Sequence, residues 1–210
     1  MADWVTISAL STAGGTLVLA GATFASVRSA NRAARVAEQS LLVNLRPLLV
    51  PSRLEDAPQK VGFAEGKWIR VSGGCGATEV TDEAVYLTIS IRNVGLGIAV
   101  LHAWHFYPEL LAGPVERPDP ETFTRLTRDI YVPPGDVGFW QGTFRDPASS
   151  EFVAAKEAID ARSPVTVEVL YGDHEGGQRV VSRFVLAPRD DGTWVAGASR
   201  HWNVDRSDPR

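Results

Sequence analysis

The chain has 210 residues and a net charge of −4, and the residues beyond about position 45 are alone enough for one domain with a proper core. The acidic balance leaves no basic excess to drive nucleic-acid binding, so no nucleic-acid partner is expected. A single cysteine, Cys75, excludes an internal disulfide and suits a reducing compartment.

Between Asp3 and Arg28 no side chain is charged, and Arg28, Arg32 and Arg35 follow at once. A helix over that uncharged run would be roughly 36 Å long, against a hydrocarbon core of about 30 Å. The expectation is a transmembrane anchor helix over residues 1–27 continued by a juxtamembrane helix over 28–45. A cleaved signal peptide fits poorly, because the first residues carry no Lys or Arg and the basic cluster lies on the wrong side. Arginines after the span place the amino terminus outside and the rest in the cytoplasm, at the cell inner membrane with one span. Arg28, Arg32 and Arg35 would then meet anionic lipid headgroups.

Small residues recur along this rod at spacings of three and four. Ser8, Thr12, Thr16, Leu19, Thr23 and Ser26 are followed in register by Ala30, Ala33, Ala37 and Leu41. Such a seam suits a helix-to-helix contact, with a second copy or with a membrane-protein partner. The competing reading is that the hydroxyls bond back to their own i−4 carbonyls, and that the stripe from Ala30 to Leu41 docks on the chain's own β domain.

From Arg46 the pattern becomes β. Residues 46–51 are extended by their prolines, 67–71 read as a short strand, and the glycine-rich 74–79 as a loop. Residues 84–92 alternate, with Val85, Leu87, Ile89 and Ile91 on one face, which predicts a strand buried on one side. A turn at 93–97 leads to a strand over 98–107. Strands at 130–132 and 137–144 flank Pro133-Pro134-Gly135. Ser149 or Ser150 caps a short helix to about Ala161, with Phe152, Val153, Ala155 and Ile159 on its apolar side. Strands over 165–171 and 179–186 form a hairpin around 173–177, and 194–202 is the last strand. The spacing predicts a mainly β, antiparallel β-sandwich over 46–203 with one short inserted helix and a flexible tail over 204–210.

Four motifs carry a resemblance: Asn44-Leu45-Arg46-Pro47, the run from Arg92 to Ala99 (RNVGLGIA), Tyr171-Gly172-Asp173, and the run from Arg200 to Asp205 (RHWNVD). On these the chain resembles a loose group of uncharacterised bacterial single-pass membrane-anchored proteins with an N-terminal transmembrane helix and an immunoglobulin-like β domain. The resemblance implies an immunoglobulin-like sandwich and carries no activity, because the motifs are structural ones.

Candidate chemistry is sparse. His102 and His105 form H-x-x-H, but on a strand i and i+3 point to opposite sides, which disfavours a metal site. Asp173, His174 and Glu175 could act as acid and base or bind a metal, yet a polar turn needs the same residue types to stay solvated. Cys75 sits among glycines, and a reactive thiol there would need a lowered pKa. No phosphate loop or nucleophile elbow is present, and no cofactor is expected. The sequence therefore reads as a membrane-anchored cytoplasmic protein-interaction module, an accessory subunit of a membrane complex, and leans away from an enzyme. The alternatives are a membrane-tethered enzyme or redox protein using Cys75, Asp173 or His174, and a small-ligand sensor.

Overall fold

The computed structural model describes residues 3–111 and 117–208, and within the opening helix the side chains of residues 12–38, 40 and 41. The chain divides into two compact units, Met1–Val43 and Asn44–Arg210.

The first unit is a single helix, α1 (Trp4–Asn44), and each of its described side chains is exposed. Thr16 and Thr23 donate their hydroxyls to the carbonyls of Thr12 and Leu19 at 2.9 and 2.8 Å, so both are satisfied within the helix. Ser8 lies outside the described side chains. Among the described residues no helix is long and apolar enough to cross a membrane. The transmembrane assignment of residues 1–27 is corrected accordingly. Lack of charge is not apolarity: threonines, glycines and alanines contribute little transfer free energy beside Leu, Phe or Val. The headgroup role of Arg28, Arg32 and Arg35 depends on that span and has no support among the described residues.

The second unit is mainly β and antiparallel throughout. Its strands are β1 (Leu49–Pro51), β2 (Gln59–Gly62), β3 (Trp68–Val71), β4 (Cys75–Val80), β5 (Val85–Asn93), β6 (Ala99–Tyr107), β7 (Thr124–Val132), β8 (Val137–Phe144), β9 (Val165–Gly172), β10 (Val180–Pro188) and β11 (Trp194–Asn203). Nine of them form one sheet in the order β1-β5-β4-β11-β10-β9-β6-β7, with β8 on the other edge of β5. The strands expected to form two separate sheets are thus joined by β4, which pairs with β5 and with β11. The sheet curls until Leu87, Ile89 and Trp140 from one half share a core with Val167, Tyr171 and Phe184 from the other. Its end strands β7 and β8 approach without a ladder between them, and Arg128 Nη2 donates to Gln141 Oε1 at 2.8 Å across the gap.

The glycine-rich stretch read as a loop is strand β4. A Cβ on Gly76 would fall 2.4 Å from Leu186 Cδ2 and 3.0 Å from Thr88 O, so the missing side chain is what lets this strand cross the core. Strand β5 is buried on both faces rather than one. The β2–β3 hairpin covers its outer side, where Val61, Phe63, Ile69 and Val71 pack with Ala84 and Tyr86. Helix α2 (Ser150–Asp160) is capped by Ser149, whose Oγ accepts from Phe152 N at 3.2 Å. It buries Phe152, Ala155, Ala158 and Ile159 in the main core, while Val153 faces solvent.

Candidate functional site

Two polar constellations stand out in the β unit, and the first is built around the residues that follow α1. Asn93 is fully buried. Its Oδ1 accepts from the backbone N of Leu48 and of Gly95 at 3.1 and 3.0 Å, and its Nδ2 donates to the carbonyls of Gly97 and Val132 at 2.7 and 2.9 Å. A Cβ on Gly97 would sit 1.7 Å from Leu45 O, so the segment 45–48 lies directly on this turn. Next to it Leu49 N donates to the Tyr171 hydroxyl at 3.1 Å, Tyr171 bonds Ser182 Oγ at 2.7 Å, and Ser182 bonds His201 Nδ1 at 2.6 Å. Arg46 Nη2 donates to Asn203 Oδ1 at 2.8 Å.

A serine bonded to a histidine is the pairing a nucleophile needs. Ser182 is wholly buried and its hydroxyl is shared with Tyr171, so no substrate reaches it. Burial pushes the Tyr171 hydroxyl up to about 12, which keeps it a neutral hydrogen-bonding group. Residues from all four motifs behind the resemblance meet here, bonded to backbone groups and to one another.

The second constellation is a cleft of about 580 Å³ on the outer face of β6, β7 and β9. Its origin is a break in register. Leu101 pairs with Ile130 and Ala103 with Arg125, so residues 126–129 of β7 stand opposite His102 alone. His102 is also the extra residue against β9, where Leu101 pairs with Tyr171 and Ala103 with Leu170. The imidazole lies over Gly172, where a Cβ would come within 3.2 Å of His102 Nε2. Ala103, Phe123 and Leu170 give the cleft a buried apolar lining, and Glu121, Arg125, Asp129 and Arg179 line its polar side. Arg179 is held by Asp205 at 2.7 Å. Burial pushes the His102 pKa down, opposed by the nearby charge of Asp129 and assisted by that of Arg179.

The other sequence candidates are dispersed. His105 lines a separate cleft of about 350 Å³ with Trp104, Phe106 and Phe144. Asp173 is buried at the start of the β9–β10 turn. Its Oδ1 accepts from Gly177 N at 3.0 Å, and its Oδ2 has no hydrogen-bond partner among the described residues. His174 is exposed, with Nε2 3.3 Å from Glu175 Oε1. Cys75 is half-buried at the start of β4, opposite Val195, and not in an exposed loop. Among the described residues no group of three or more His, Cys, Asp or Glu could hold a metal ion.

Sequence reasoning missed Glu121, Asp129 and Arg179. It also missed a buried pair on the outer face, where Arg183 donates through Nε and Nη2 to Glu168 Oε1 and Tyr107 donates to Oε2 at 3.3 Å. The signal for the cleft was present. Leu101-His102-Ala103-Trp104 breaks the period of two, since two polar-flanked small or aromatic residues follow each other into buried positions.

No family model and no curated protein matches the chain. Among solved structures it is similar to beta-glucosidase from Kluyveromyces marxianus, in a selenomethionine-labelled crystal and in one with glucose. Identity is 16%, the match covers 62% of this chain and 13% of that one, and the TM-scores are 0.23 and 0.21. The chain therefore spans a small part of that enzyme, and a likeness at these scores carries no argument for fold or activity.

Proposed function

We propose that this chain is a protein-interaction module whose contact element is α1, packed along its small-residue face on the same helix of a second copy. The observation that supports the reading is the bareness of that helix. Each described side chain of the small-residue face is exposed, its two leucines Leu19 and Leu41 to 69% and 64%. A helix of this kind gains most of its stability from covering such a face, not from propensity. On a 3.6-residue turn, Thr12, Leu19, Thr23, Ser26, Ala30, Ala33, Ala37 and Leu41 fall together, and Arg28, Arg32 and Arg35 fall on the opposite side. Two helices joined by the small face keep their arginines apart. Because the hydroxyls of Thr16 and Thr23 are already satisfied, the contact rests on close backbone approach.

Sedimentation equilibrium tests the proposal. The wild-type chain is expected to dimerise, and Ala33→Trp to shift it towards monomer. Arg32→Trp, on the far face, should leave the dimer intact. A wild-type chain that stays monomeric at every concentration, or equal loss from both variants, contradicts the reading.

A further inference from the structure

We propose that the gap between β7 and β8 binds a compact oxyanion of the phosphate class. The inference stands independently of the helix contact, since every residue it uses belongs to the β unit.

The gap holds a cleft of about 70 Å³. A water molecule in the liquid takes up about 30 Å³, so the space suits a head of a few heavy atoms and not a ring or a chain. Its charged lining is of one sign: Arg125, Arg128 and Arg145, with no Asp or Glu among the lining residues. Glu65 pairs with Arg145 from outside the cleft. Arg128 is fastened by neutral acceptors. Its Nη2 donates to Gly62 O at 3.1 Å and to Gln141 Oε1 at 2.8 Å, so the guanidinium is held in place while no carboxylate pairs with it. Arg125 has no hydrogen-bond or ion-pair partner among the described residues. Asp129, next to Arg128 in the chain, lines the cleft over His102 instead. Two unpaired guanidiniums thus share one small space, and an anion between them removes their repulsion.

The second observation is Gln141, which lines the same cleft and is only 7% exposed. An arginine donates and never accepts, so the amide oxygen must face Arg128 and the amide nitrogen must face away. That Nε2 has no hydrogen-bond partner among the described residues, yet it is not one of the buried polar atoms sealed from water. A side chain more than nine-tenths buried therefore keeps an idle N–H donor whose opening is the cleft. The donors come from both walls, Arg125 and Arg128 from β7 and Gln141 from β8. A tetrahedral oxyanion presents acceptors in every direction and can meet both walls at once. A cation or a neutral ring brings no such acceptors.

Titration calorimetry of the full chain with inorganic phosphate tests the proposal, with ionic strength held constant by chloride. Saturable binding is expected. Arg125→Gln should weaken it about fivefold. Arg206→Gln, at an exposed arginine outside the cleft, should leave it unchanged. Gln141→Glu keeps the acceptor that Arg128 uses and puts a negative charge where the donor stood, so it should abolish binding. Phenyl phosphate separates the two sources of the group: affinity equal to that of phosphate assigns the cleft to the phosphoryl end of an ester, and failure to bind assigns it to the free ion. The proposal is overturned if phosphate shows no saturable binding, if Arg125→Gln binds as tightly as the wild type, if Arg206→Gln loses as much as Arg125→Gln, or if a folded Gln141→Glu chain still binds phosphate normally. Should Gln141→Glu fail to fold, the two arginine variants decide alone.

Discussion

At the residue scale the buried pair of Glu168 and Arg183 carries the largest stake. Both side chains are almost wholly shielded, Tyr107 closes the second carboxylate oxygen, and the Arg183 guanidinium lies 4.8 Å from the centre of the Trp202 ring. Removing one partner leaves a charge in a place water cannot reach. Arg183→Met is expected to cost about 3–5 kcal/mol in urea unfolding. Adding Glu168→Leu should recover most of that loss, because an apolar pair of similar volume is often neutral. Retention of the full loss in the double variant would show that packing against Trp202, not charge, is what matters. Nothing in Val165-Thr166-Val167-Glu168-Val169 distinguished this glutamate from an ordinary solvent-facing one. Its burial depends on Tyr107 and on Arg183, which are far off in the chain. Asn93 was better marked, because Asn-Val-Gly-Leu-Gly already signals a turn, although the four bonds that its carboxamide makes could not be read from it.

Among the elements, β4 decides the architecture. It turns two groups of strands into one sheet, and it does so at Gly76, against Leu186. Gly76→Val should force Leu186 or the strand to move and cost about 1–3 kcal/mol, read as a lower thermal midpoint. An unchanged midpoint would mean that β4 is not tightly seated. The strands with clean alternation or flanking turn residues, β5, β8, β9 and β10, were legible from the sequence. Strands β2 and β4 were not, since Gln59-Lys60-Val61-Gly62 is too short and polar and the glycines of 73–76 imitate a loop. The first part of β7 was missed for a related reason: Thr124 to Asp129 carries charges at an exposed edge, and its middle lacks a ladder partner on β6. The helix α1 was legible as a rod and not as to what surrounds it, because absence of charge and sufficient apolarity are separate properties.

For the whole molecule, the charge pairs set the response to acid. Hydrogen bonds from Arg92, Arg145 and Arg179 hold the carboxyls of Asp56, Glu65 and Asp205 below their ordinary values of 3.8, 4.5 and 3.8. A folded pKa below the unfolded one gives stability that is complete above the ordinary value and is lost as pH falls through the lowered one. His102, lowered from 6.5 by burial, has the same sign: the unfolded chain takes up the proton first, so stability begins to fall below about pH 6.5. Urea midpoints measured from about pH 8 to pH 3 should therefore show a shallow decline followed by a steeper one. His102→Gln should remove the first part, and Asp205→Asn should reduce the second. A flat profile down to pH 5 in the wild-type chain would contradict a lowered pKa for the half-buried His102. One further property follows from how the sheet ends. A wall fastened along one line by Arg128 and Gln141, with no backbone ladder, parts there without breaking a strand. Solvent is expected to reach the interior first by that slit, and hydrogen exchange of the Trp140 indole N–H, which has no acceptor among the described residues, should then outpace that of the amides laddered between β9 and β10; slower exchange at the indole would contradict it.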